Sequence, residues 1–312
     1  MRIGLLLIDG FALMSYSSVI EPLRAANLLS NKNLYKIYHL SPLGKEAISS
    51  SGAYIKTEPI ALNKNTFDLV IVIAGGDPFK FEEVKTLDWL RRISRTGSFL
   101  GGVSGGPVIL AKSGLMKKKR MTLHWEHIET FVETWPDIII EKSLYVIDRD
   151  RLTCAGGIAP LDLMYAIITE QHGEKFARKV SDWFMHTEVR PSGGPQRAGI
   201  VERYGISNLI VVLAIEVMEN HLSDTLHLNE LSSRIGIGSR QLNRLFRKYL
   251  NQSTMTFYKE LRLNLAKKLL NQSSLSITEI ALSTGFTSSA HFSQAFNFKF
   301  SITPTNFRNS KK

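Results

Sequence analysis

Four short β-rich runs, RIGLLLID, YKIYHLSP, FDLVIVIAGG and GSFLGGVS, alternate with segments whose apolar residues recur three and four apart, VIEPLRAANLL and FEEVKTLDWLRRIS. That alternation is the rhythm of a parallel sheet covered on both faces by helices, and it sets the first part of the chain as α/β. In such sheets ligands bind beyond the carboxyl ends of the strands, where glycine lets the backbone come close. The strand ends here are Asp9-Gly10-Phe11, Ala74-Gly75-Gly76, Val103-Ser104-Gly105 and Cys154-Ala155-Gly156-Gly157, and they point to one mouth.

Near Arg190 the texture changes. PSGGPQRAG carries Pro and Gly and has no apolar period, so a connector is expected over 191–204, between a domain at 1–190 and another at 205–312. Everything after it reads as helix, over 208–221, 228–235, 239–250, 255–270, 277–284 and 288–300. A weak duplication lies within. "LNELSSRIGIGSRQLNRLFRKYL" and "ITEIALSTGFTSSAHFSQAFNFKF" share a short helix, a glycine turn at Gly236 or Gly285, and a longer helix ending in aromatics. Each is a helix-turn-helix in outline, which makes the second domain all-α.

The length of 312 residues suits two domains. The net charge of +11 is unevenly spread: 205–312 holds 13 Lys and Arg against 6 Asp and Glu. That density suits a polyanion. The single cysteine, Cys154, excludes an intrachain disulfide and a cysteine zinc site, and its apolar neighbours mark a buried, inert thiol. No apolar run approaches the roughly 20 residues that cross a bilayer, and MRIGLLLIDG runs straight into a glycine turn as a first strand, so no membrane contact and a cytoplasmic location are expected.

Helical spacing over 239–249 puts Leu242, Leu245, Phe246 and Tyr249 on one face and leaves Arg240, Asn243, Arg244 and Arg247 on the other, with Lys248 as a phosphate contact. Buried on the first set, the helix offers the second to a major groove, where Arg pairs with guanine and Asn with adenine. The outward positions of the second unit are Ala290, His291 and Gln294, a less basic set from which weaker base readout is expected. A joining helix of about 16 residues spans roughly 24 Å, compatible with successive major grooves. Residues 228–308 resemble the DNA-binding domain of AraC/XylS-type regulators, through Ile280-Ala281, Gly285-Phe286, Phe292, Phe296, Phe300, Thr303-Pro304 and Phe307-Arg308. Ser301 stands where that family usually ends the recognition helix with glycine.

Gly102 to Gly106 spell G-x-S-x-G, the pattern of a nucleophile elbow. The candidate base is His124, and no acid lies between Ser104 and His124 in the order seen in α/β-hydrolases. A serine hydroxyl without a positioned base is a poor nucleophile, so Ser104 reads better as a pocket group beside backbone N–H donors of Gly105, Gly75 and Gly76 that suit a carboxylate. Trp125 and Phe11 offer aromatic faces to a cationic group, and Glu21 a countercharge. Such a pocket suits an amino acid, a betaine or a related amine.

The stretches "IDGFALMSYSSVIEPLRAAN", "GGVSGGPVILAKSGLMKKKRMTLHWE" and "RLTCAGGIAPLDLMYAIITEQHG" resemble the PfpI-type, class I glutamine-amidotransferase-like domain of the GlxA group of regulators. Thr-Leu-His-Trp and Cys-Ala-Gly-Gly are similar to regulators of glycine betaine, carnitine and arginine catabolism. The resemblance implies a flavodoxin-like sandwich. It also implies a cysteine at the elbow of the enzymes, with Glu21 as the nearby acid, so Ser104 marks a chain that is no enzyme. Both resemblances together imply a one-component regulator, usually an activator, that forms a homodimer, binds promoter double-stranded DNA, answers to a small metabolite and engages RNA polymerase, with no cofactor and no metal. Two alternatives stay open: an amidase or deglycase with a serine elbow tethered to DNA, and a degenerate sensor that only dimerises.

Overall fold

In the computed structural model, which describes residues 1–63 and 65–310, the apolar runs at the start of the chain pair within one sheet. In chain order they are β1 (Arg2–Leu7), β2 (Lys36–Ser41), β3 (Lys45–Ile48), β4 (Tyr54–Pro59), β5 (Leu69–Ala74) and β6 (Phe99–Ser104). A small ribbon of β7 (Arg120–Met121) and β8 (Ile139–Ile140) precedes β9 (Tyr145–Asp148) and β10 (Arg151–Cys154). The eight-stranded order is β3-β4-β2-β1-β5-β6-β10-β9, parallel except for the edge pairs β3–β4 and β9–β10.

Helices α1 (Leu13–Ser30), α2 (Val84–Ser94), α3 (Gly106–Lys112), α4 (Ile128–Thr134), α5 (Ala159–His172) and α6 (Glu174–Trp183) cover the sheet. Strand side chains alternate sides, so central strands that are covered twice must be apolar throughout. Ile3, Leu5, Leu7, Ile71 and Ile73 pack with Val19, Leu23, Leu163 and Val180 of α1, α5 and α6. Leu6, Val70 and Val72 pack on the other face with Leu90, Ile93, Val108 and Ile109 of α2 and α3. This is the flavodoxin-like sandwich.

The chain forms two units, Met1–Gln196 and one beginning at Arg197. Within the stretch expected as a connector, 191–196 stays with the first unit. Gln196 Nε2 donates to Thr122 Oγ1, Leu123 O and Ser143 O at 3.0, 3.1 and 2.7 Å. Residues 200–204 form α7 (Ile200–Tyr204), whose Ile200 is buried in the second unit's core.

That unit continues with α8 (Leu209–Asn220), α9 (Leu228–Ile235), α10 (Ser239–Leu250), α11 (Thr254–Gln272), α12 (Ile277–Ser283), α13 (Ser289–Phe300) and α14 (Pro304–Asn309). α11, 19 residues and about 28 Å long, serves two cores. Its Phe257 and Tyr258 pack with Leu231, Leu242 and Phe246. Its Leu263, Ala266, Leu269 and Leu270 pack with Ile280, Phe286, Phe292 and Phe296. Ser253, Ser276 and Ser288 cap α11, α12 and α13, each accepting an N–H of the first turn.

Candidate functional site

Ser104 ends β6 in the left-handed region, with φ +60, and α3 starts two residues on. A non-glycine residue held there stores about 1–3 kcal/mol of strain, which the surrounding contacts must offset. They do so by close packing: a Cβ on Gly106 would lie 2.0 Å from Val72 O, so only glycine lets α3 cross β5 at this depth. Opposite, a Cβ on Gly156 would stand 2.7 Å from Ser104 Cβ and 3.0 Å from Ser15 Oγ. The Gly157 N–H donates to Ser15 Oγ at 2.9 Å, and Ser15 is fully buried in the first turn of α1. Ser104, Gly156, Gly157 and Ser15 therefore meet where three elements end.

Two neighbours could turn this elbow into a nucleophile site, and each has a partner of its own. His124 donates its backbone N–H to Ser104 O at 3.5 Å, while its ring Nδ1 accepts the Glu126 N–H at 3.3 Å and lies 4.0 Å from the Glu126 carboxylate. Glu21, half-buried, is held by Arg24 at 2.6 Å. Among the described residues nothing hydrogen-bonds to the Ser104 hydroxyl, and the Glu21 carboxylate is taken up by the Arg24 guanidinium through both Nε and Nη2.

The pocket expectations are partly corrected. Phe11 is fully enclosed, its ring edge-on to Tyr16 at 5.6 Å, so it packs the core and offers no face to a ligand. The Gly105 N–H is spent on Ala74 O at 3.1 Å and is not a donor to an anion. Gly75 is pressed against the β1–α1 turn, where a Cβ would meet Gly10 O at 2.5 Å, whereas Gly76, at φ +59, borders open space. Trp125 is half-buried, with its ring 5.3 Å from that of His124. Beside Gly76, burial raises the Asp77 carboxyl above its ordinary range, and Asp77 Oδ2 makes no hydrogen bond. Burial, with the Glu21 charge, pushes the Tyr16 phenol up to about 12, and burial pulls the His39 imidazole down, so the 2.9 Å Tyr16–His39 hydrogen bond joins neutral groups.

In the second unit, α10 and α13 have the same length of 12 residues and the same pattern 50 positions apart. Leu242 and Phe246 are buried in one, Phe292 and Phe296 in the other, and both helices end on a left-handed residue, Asn251 and Ser301. Arg240, Arg244, Arg247 and Lys248 are exposed on α10, and among the described residues no carboxylate pairs with the three arginines. Ala290, His291 and Gln294 are exposed on α13. Asn243 is a correction: it is half-buried, and its Oδ1 accepts the Thr254 N–H at 3.0 Å, so it caps α11 and does not present a free amide oxygen to adenine. Arg262 clamps the second turn, donating to Thr284 O and Gly285 O at 2.7 Å with its guanidinium 4.3 Å from the Phe286 ring centre.

Residues 1–170 match the DJ-1/PfpI family, and residues 231–310 match the helix-turn-helix domain. The chain is 42% identical to the HTH-type transcriptional regulator GlxA of Rhizobium meliloti (strain 1021), over 98% of this chain and 95% of that one. It is 38% identical to the HTH-type transcriptional regulator CdhR of Pseudomonas aeruginosa, over 97% of this chain and 90% of its relative. The chain belongs to the GlxA-type regulators of the AraC family. An AraC family transcriptional regulator from Pseudomonas putida, 24% identical with a TM-score of 0.52, shares the fold over 59% of this chain and 98% of its own.

α10 and α13 are thus the longer helices of the two helix-turn-helix units in this regulator. Its exposed set is larger than the sequence suggested, because Gln241, Asn297 and Phe298 also face solvent. The 50-residue register would have supplied them, since Gln241 matches His291, Arg247 matches Asn297 and Lys248 matches Phe298. Ser15 had no comparable signal: a serine among other hydroxyl residues in "MSYSS" looks like any exposed helix start. Among the described residues, no helix is long and apolar enough to cross a membrane, and no cluster of His, Cys, Asp or Glu could hold a metal ion.

Proposed function

We propose that the first unit senses a small zwitterionic metabolite, an amino acid, a betaine or a related amine, and that its occupancy sets how the second unit engages promoter DNA. The observation that carries this reading is the Ser104 hydroxyl. It stands on a strained elbow with no hydrogen-bond partner among the described residues, while the ring of His124 is tied to its own turn. That arrangement favours binding over proton transfer, because a serine needs a base within reach to act as a nucleophile. Ser104 and the Gly76 backbone would take the carboxylate. Trp125 would face the cationic end, and Asp77, whose Oδ2 accepts no hydrogen bond and lies 3.9 Å from Lys80 Nζ, would supply the countercharge.

Gln196 supports the coupling. It closes the first unit on Thr122 and Leu123, immediately before His124, so a shift at the elbow bears on the residue where the unit ends. A ligand moves the equilibrium only by its differential affinity for the two states. The family likeness supports a homodimer, an activating role, contact with RNA polymerase and a cytoplasmic setting. Thermal denaturation of the full chain against amino acids, betaines and amines tests the reading. A ligand at 100 times its Kd adds about 2.7 kcal/mol of stability. Ser104→Ala is expected to weaken that gain and leave ligand-free DNA binding intact. Turnover of an amide or glycated substrate that Ser104→Ala abolishes would overturn the proposal in favour of an enzyme.

A further inference from the structure

Phe298 is the most exposed large apolar side chain among the described residues, at 88%. It lies on α13, whose apolar partners Phe292 and Phe296 are fully buried on the other side. At about 100° per residue, Phe298 sits about 20° around the helix from His291 and about 40° from Gln294, so it lies within the exposed face, toward its His291 side. His291 to Phe298 spans about 10 Å along the axis, the length of roughly three base steps. In the matching register of α10 the position is Lys248. A place occupied by a cation in the first reader is thus occupied by an aromatic ring in the second.

We propose that Phe298 is a specificity-determining residue of the second recognition helix, packing its ring against the 5-methyl group of a thymine in the major groove. The inference rests on the DNA-binding reading of the two helices and deepens it. The thymine methyl is the one apolar feature on a major-groove base edge, and Phe and Ala are side chains that contact it. Ala290 is on the same exposed arc, and Gln294, between the two, suits the adenine N6 and N7 of an A·T pair. The face Ala290, His291, Gln294, Asn297, Phe298 carries no arginine or lysine, against four such cations on Arg240, Gln241, Arg244, Arg247, Lys248. The two half-sites therefore differ in kind: α10 reads guanines and phosphates, and α13 reads an A·T-rich step through shape and methyl contact.

The test selects duplexes from a randomised double-stranded pool with the intact chain and then replaces each thymine of the selected duplex by uracil, which deletes the methyl and nothing else. Wild type loses about fourfold in affinity, the weight of one buried methyl group, at one or two thymines in the half-site that Arg244→Ala leaves unchanged. Phe298→Ala loses affinity by a similar factor and becomes indifferent to those same uracils. Phe298→Lys, which copies Lys248, is also indifferent to them and gains about one unit in the slope of log affinity against log salt. The proposal is overturned if Phe298→Ala keeps the wild-type uracil profile, whether or not it alters self-association or polymerase recruitment, or if no uracil in that half-site affects wild type. Failure of wild type to enrich any duplex is a separate result, which removes the DNA-binding reading itself.

Discussion

Arg190 and Asp162 are joined three times over: Arg190 Nη2 and Nε reach Asp162 Oδ2 at 2.6 and 3.0 Å, and the Arg190 backbone N–H reaches Oδ1 at 2.8 Å. His186 Nε2 adds a contact to Oδ1 at 2.9 Å, and Asp162 is fully enclosed. A buried carboxylate with such partners adds little over an apolar substitute, yet removing one partner strands the other charge. Asp162→Ala and Arg190→Ala are each expected to destabilise the first unit by about 3 kcal/mol, with Arg190, partly exposed, on the lower side. The double variant should fall well short of the sum. Urea denaturation of the four proteins measures that cycle, and additivity would show the pair to be uncoupled.

Arg244 and Lys248 should separate base reading from phosphate contact. Arg244→Ala is expected to cost about 1–3 kcal/mol on a selected duplex and to relax preference at one position, as loss of a bidentate guanine contact does. Lys248→Ala should weaken selected and unrelated duplexes alike and lower the salt slope by about 0.9. Fluorescence anisotropy titrations at several salt concentrations distinguish the two. A uniform loss for Arg244→Ala would place that side chain on the backbone.

The central sheet was legible because β1 and β5 are apolar on both faces, which only a doubly covered strand requires. The edge hairpin of β3 and β4 was not, since KEAI and YIKTEP alternate charges with apolar residues at a length too short for a clear period. Six helices of the second unit, α8 to α13, were legible to within about two residues, because Leu242, Phe246, Phe292 and Phe296 fix the buried face of each longer helix, whereas α7, inside the expected connector, and α14 were not. Single side chains were harder. Asn243 faces outward by period alone, and only the turn that brings Thr254 back to it reveals a cap. Phe11 comes after a strand end as a ligand-facing aromatic would, yet the isolated bridge from Phe11 to Ser49 folds the turn inward and buries the ring. Such outcomes depend on where a turn returns the chain, which local periodicity does not encode.

Cys154 is fully buried at the end of β10, and burial pushes its thiol up to about 12 from an ordinary value of 9.0. In the unfolded chain it ionises near its ordinary value. The folded state therefore holds the proton more tightly: this contribution to stability is complete below about pH 9 and is lost as pH rises toward 12. Iodoacetamide at pH 8.5 is expected to leave the native thiol unmodified and to alkylate it fully in urea. The native modification rate should track global unfolding. Rapid labelling without loss of structure would show that solvent reaches β10.

Ser301 ends α13 at φ +56, where its N–H donates to Asn297 O at 2.8 Å, and Asn251 ends α10 at φ +55 in the same way. The two positions are geometric copies with different residues. Asn tolerates the left-handed region by local hydrogen bonding, whereas serine bears more of the Cβ–carbonyl crowding that glycine avoids. Ser301→Gly is therefore expected to stabilise the helical unit by about 1 kcal/mol after glycine's larger unfolded-state entropy is included. Asn251→Gly should change stability by only a few tenths of that, and Ser301→Val should lower it, because a β-branched side chain fits this region worst. Urea denaturation followed by circular dichroism at 222 nm ranks the three. A Ser301→Gly protein no more stable than wild type would mean that the helix end carries no strain for glycine to relieve, and that the kinship of the two helix ends stops at their backbone angles.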